Sequence, residues 1–126
     1  MHIDELPPTY KNQPIWKSFL GAFRGIGHAM AGRNFYIQII IGLIVIILTF
    51  ILELYWFEKL FIIVLVSLVL GVELLNTAIE GVLDFMAKTH NPEVGRIKEM
   101  TAGAVLIFSV TALIAGVWIF GRALFL

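Results

Sequence analysis

Apolar and polar positions divide the chain into four helical segments. From Trp16 the apolar residues Trp16, Phe19, Phe23, Ile26 and Met30 recur at i, i+3, i+7, i+10 and i+14, while Lys17, Ser18, Arg24 and His28 fall mostly off that stripe. This spacing predicts an amphipathic helix over 14–32, too polar to span a bilayer and suited to lying in its interface. Between Arg33 and Glu53 run 19 uncharged residues, Asn34 to Leu52, enough for a first spanning helix over about 34–54. Tyr55, Trp56 and Phe57, flanked by Glu53 and Glu58, mark a short turn at the far interface. A second helix is expected over 56–87, longer than the bilayer requires, and is broken by Thr89-His90-Asn91-Pro92. The third span, about 97–121, is built on 22 uncharged residues from Met100 to Gly121 and bounded by Arg122. Residues 1–13 read as a polar tail held extended by Pro7-Pro8. The fold class is therefore all-α integral membrane, with a surface helix and three transmembrane helices.

The second helix carries the chemistry. Glu73, Asn76, Glu80 and Asp84 stand at i, i+3, i+7 and i+11, which places them on one polar stripe. Only 13 residues, the uncharged run Leu60 to Val72, separate Lys59 from Glu73, so a helix that spans here must take Glu73 and Asn76 with it. With Glu58 near one interface, Glu73 lies about 22 Å along the axis, several Å short of the opposite one in a core roughly 30 Å thick. Glu80, about 33 Å along, has reached water. A carboxylate at that depth is costly to insert and marks a functional site by default. The plain structural alternative is a polar collar ending a spanning helix, which an amide and two further acids on the same face argue against.

Composition agrees with a membrane protein: 60% of the residues are hydrophobic and 14% charged, with a mean hydropathy of +0.93. Nine acids balance nine bases, so no global field points to nucleic acid. Cysteine is absent, which excludes disulfides and thiolate chemistry. The first residues have neither the basic flank nor the apolar core of a signal peptide. Basic residues Lys11, Lys17, Arg24 and Arg33 precede the first span, and Lys88, Arg96 and Lys98 lie between the second and third. The positive-inside rule then puts the N-terminus and the second loop in the cytoplasm, with the stripe facing the cytoplasmic leaflet. Three spans enclose little volume, so self-association is expected, with Gly103, Ala104, Ala112 and Ala115 allowing close helix approach.

A deep carboxylate next to water-exposed carboxylates suits a reaction between a lipid and a soluble reactant. Glu73 is placed to take a proton from a lipid hydroxyl. Glu80 and Asp84 are placed to hold Mg²⁺, and Lys98 to neutralise a triphosphate. No Walker A loop, kinase glycine-rich loop or dinucleotide fingerprint is present. Spacing alone supports an interfacial acid/base or cation site.

The segment Glu73-Leu74-Leu75-Asn76-Thr77-Ala78-Ile79-Glu80, followed by Asp84, resembles the signature of the small bacterial membrane lipid kinases, the prokaryotic diacylglycerol kinase and undecaprenol kinase family. The resemblance extends to Arg33-Asn34-Phe35, to Lys98 before an acid and to Ala102-Gly103-Ala104-Val105-Leu106, covering roughly residues 15–120. It implies a homotrimer in the bacterial plasma membrane that transfers the γ-phosphoryl of ATP to a lipid hydroxyl. It further implies Glu73 as general base, Phe23 and Asn76 at the lipid substrate, and Glu80 as the Mg²⁺ ligand. Glu80, Thr89, His90, Asn91, Lys98 and Glu99 would contact ATP.

The chain departs from the family pattern at three places. Ala31-Gly32 stands where the family places a metal-binding Glu, Glu99 replaces the usual Asp, and Pro14 and Gly21 occupy surface-helix positions where some members have Arg and Tyr. Asn76-Thr77, Arg33-Asn34-Phe35 and the Ala-Gly-Ala-Val-Leu run look more like the undecaprenol-preferring branch than the diacylglycerol one. The alternatives are a reduced homologue that binds lipid or partner proteins without phosphoryl transfer, and a small channel subunit, against which the clustering of acids at one interface argues.

Overall fold

The computed structural model describes residues 14–126, so the tail expected over 1–13 lies outside the described residues. Four helices follow one another: α1 (Ile15–Ala29), α2 (Arg33–Ile51), α3 (Trp56–Met86) and α4 (Pro92–Phe125). The last three are long and apolar enough to cross a membrane. At 1.5 Å per residue the 31 residues of α3 and the 34 of α4 extend about 46 and 51 Å, well beyond a core of roughly 30 Å.

Local signals set the helix ends. α1 stops at Ala29, short of the expected 32, because the chain turns at once into α2: the Gly32 amide bonds the Ala29 carbonyl at 3.0 Å and the Gly32 carbonyl takes the Tyr36 amide at 3.1 Å. α4 begins at Pro92, ahead of the expected span over 97–121. Proline fits the first helical turn, and the Asn91 Oδ1 caps it by accepting from the Glu93 amide at 2.9 Å. An ion pair between Arg96 and Glu93 supports that first turn outside the bilayer.

α3 is the central element, packing against α4, α2 and α1. α2 approaches it closely at Gly42, where an added Cβ would lie 3.1 Å from Val66 Cγ1 and 3.7 Å from Leu70 Cδ1. The interior is small. Leu54, Ile62 and Ile119 form its buried centre, with Val45, Val66 and Phe120 packed around it. Thr49, fully buried on α2, satisfies its hydroxyl on the Val45 carbonyl at 2.7 Å. Most large apolar side chains instead face outward, as lipid-facing helices require.

α3 and α4 run antiparallel and are tied at both ends. At the start of α3, Glu58 receives Arg122 through two nitrogens, Nη2 at 2.5 Å and Nε at 3.0 Å, and also accepts the Tyr55 amide at 3.0 Å. The guanidinium lies 4.6 Å from the Tyr55 ring centroid, adding a cation–π contact. At the other end Lys98 Nζ meets Asp84 Oδ1 at 2.6 Å. The two pairs differ in the burial of the acid: the Glu58 side chain is 8% exposed against 66% for Asp84, while Arg122 and Lys98 are 30% and 37% exposed. Arg122→Ala should therefore destabilise the fold more than Lys98→Ala does, because it strands a buried carboxylate whereas Lys98→Ala leaves Asp84 in water. Equilibrium unfolding in detergent checks this, and equal losses would contradict it.

Candidate functional site

The polar stripe of α3 is graded by depth. Glu73 is 4% exposed and Asn76 8%, Glu80 is half-buried, and Asp84 is exposed. Burial along the stripe falls toward the C-terminal end of α3, where Asp84 still meets Lys98 of α4.

Each carboxylate has a specific neighbour. Gln38 Nε2 on α2 donates to Glu73 Oε2 at 3.3 Å. Asn76 Nδ2 donates to Glu80 Oε1 at 3.4 Å, one turn along α3. Thr77, beside Asn76, returns its hydroxyl to the Glu73 carbonyl at 3.0 Å. Two amide oxygens, Gln38 Oε1 and Asn76 Oδ1, are buried without a hydrogen-bond partner among the described residues. Unpaired buried acceptors are costly, and here both flank the acids.

The remaining expected residues are distributed around this centre. Lys98, expected to face a triphosphate, holds Asp84 instead, and that contact takes one oxygen of an acid expected to share the metal. Asn91 is occupied as the α4 cap. Thr89 and His90 are exposed in the loop between α3 and α4, and Glu99 is exposed one position past Lys98. Phe23, 70% exposed, points away from the helix core. Two functional-looking groups escaped the sequence reading, Gln38 and the Glu58–Arg122 pair. Gln38 had a visible signal, an amide within a span of apolar residues. The ion pair had none, because its partners are 64 residues apart.

No group of three or more His, Cys, Asp or Glu side chains converges on a metal position among the described residues. The donor chemistry nevertheless fits Mg²⁺: Glu80 supplies a carboxylate, and Asn76 a buried amide oxygen with no other use. Mg²⁺ is commonly held by one or two carboxylates together with substrate phosphates and water. Gly32, where the second acid was expected, caps α2 with ordinary extended backbone (φ −78°, ψ 131°).

A buried acid on a long apolar helix, followed along that helix by a half-buried and an exposed acid, places the chain among helical membrane proteins with a candidate acid site. The profile of the prokaryotic diacylglycerol kinases matches residues 21–120, and the chain belongs to that family. It is similar to an undecaprenol kinase of Bacillus subtilis (strain 168), 39% identical over 107 residues that cover 84% of this chain and 87% of the relative. It is also similar to a diacylglycerol kinase of Synechocystis sp., 37% identical over 101 residues covering 79% of this chain and 58% of that longer protein. The chain is accordingly an ATP-dependent membrane lipid kinase.

Proposed function

We propose that the chain phosphorylates undecaprenol in preference to diacylglycerol, at the cytoplasmic face of the bacterial plasma membrane and as a homotrimer, with Glu73 as the general base. The burial of Glu73 next to water-reaching acids on one helix carries this reading. The Arg33-Asn34-Phe35 and Asn76-Thr77 segments and the extent of the similarity to an undecaprenol kinase support the substrate choice.

The reaction follows from the stripe. An apolar groove of about 540 Å³ between α2, α3 and α4 is lined by Ile41, Val45, Val69, Leu70 and Leu113 and by Gln38, which bonds Glu73. A hydrocarbon chain lying in it brings its terminal hydroxyl to the carboxylate. The hydroxyl proton passes to Glu73 as the lipid oxygen bonds to the γ-phosphorus, and the bond to the β–γ bridging oxygen breaks with its electron pair leaving on ADP. Glu80 and the Asn76 amide oxygen would hold Mg²⁺, which neutralises phosphate charge when bound. Lys98, with Thr89, His90, Asn91 and Glu99 around the loop, faces the nucleotide side. Lys98 can exchange Asp84 for phosphate at small cost, because the pair is exposed.

Glu73→Gln keeps size and hydrogen bonding but accepts no proton. Phosphorylation of both lipids by purified protein should fall at least about 100-fold with the fold intact, and the native chain should turn over undecaprenol faster than diacylglycerol. Near-normal turnover in the variant would remove Glu73 from the role. Gly32→Glu tests the missing acid. A Cβ at Gly32 would lie 3.2 Å from the Ala29 carbonyl oxygen, so the turn must yield by a few tenths of an ångström. The variant should lower the Mg²⁺ concentration for half-maximal rate several-fold; an unchanged Mg²⁺ titration would show that this position does not reach the ion.

A further inference from the structure

We infer that Gln38 is a positioning residue for the reaction, fixing the Glu73 carboxylate so that one of its oxygens faces the incoming lipid hydroxyl; the inference rests on the reading of Glu73 as base. Three observations carry it. The contact is made between helices: Gln38 lies on α2 and Glu73 on α3, 35 residues apart, and the 3.3 Å bond engages Oε2, leaving Oε1 of the carboxylate free of it. The register that makes the contact is enforced one turn further along the same face of α2, where Gly42 lets the helix approach Val66 and Leu70. Gln38 also lines the apolar groove, where Ser109 is the other polar side chain, so a lipid lying there meets the residue that holds Glu73.

An amide suits this task better than a hydroxyl or a cation. Its N–H donates to the carboxylate before proton transfer. After transfer, the side chain turned over can accept from the carboxylic acid through its oxygen, which has no partner among the described residues. Gln38 thus stays bonded to Glu73 on both sides of the step. A lysine there would form an ion pair and oppose protonation of Glu73. Simple helix–helix adhesion by a polar side chain is the competing explanation, and it predicts a loss of stability without a specific loss of turnover.

Three variants separate the two explanations, assayed in the full-length purified protein with undecaprenol and ATP. Gln38→Met removes the donor at constant length, and Gln38→Asn keeps an amide but withdraws it by one methylene, so the result does not depend on an apolar replacement folding. Both should lower kcat about 10- to 100-fold, the range for a lost hydrogen bond to a charged group, with KM for ATP within about twofold of native. Gln38→His, which keeps a ring N–H at comparable reach, should recover kcat to within several-fold of native. Combined with Glu73→Gln, Gln38→Met should lower kcat no further, since its effect passes through Glu73. Native-like kcat in Gln38→Met or Gln38→Asn, or the same fractional loss with and without Glu73→Gln, would overturn the role of Gln38. If Glu73→Gln itself keeps near-normal activity, the reading of Glu73 fails. Full activity in Gln38→Met beside an inactive Glu73→Gln sinks the positioning role alone.

Discussion

The structure depends on a carboxylate held inside an apolar helix. Glu73 has too few apolar residues before it for α3 to cross the bilayer without carrying it in, and a lone acid at that depth is expensive. The expense is offset locally by the bond that Gln38 of α2 donates to the carboxylate. That bond requires a fixed register between the two helices, so the close α2–α3 approach at Gly42 and the site are one constraint seen from two sides.

α4 is held by a different device. Its ends are pinned to α3 by Glu58–Arg122 at one end and Asp84–Lys98 at the other, and between them an apolar groove lies where α2, α3 and α4 meet. The buried pair is bidentate and stacked on Tyr55; the exposed pair is a single contact. Such asymmetry leaves the Glu58–Arg122 end firm and the Asp84–Lys98 end free to exchange partners, which a phosphoryl-transfer site needs when substrate charge arrives.

Much of this was legible in the residues. The 19- and 22-residue uncharged runs place two spans, and the period of Trp16 to Met30 places the surface helix, because burial in lipid imposes strong local patterns. The gradient from Glu73 to Asp84 was likewise readable from helical rise alone. The early start of α4 was obscured by charged residues 93–99, which look like a loop when hydropathy is the guide but form a water-exposed helical turn under an Asn–Pro cap. The partners of Glu58, Asp84 and Glu73 were hidden, since each comes from another helix and no local period encodes helix register.

The central proposal is that α3 carries its acids from the membrane interior toward cytoplasmic water, so that a lipid hydroxyl and ATP meet from opposite sides of a single interface. The most direct measurement is phosphorylation of membrane undecaprenol in sealed vesicles of defined sidedness, with ATP added only outside. Inverted vesicles should form the lipid phosphate at once, and right-side-out vesicles only after permeabilisation. Equal or greater phosphorylation in intact right-side-out vesicles would contradict the account.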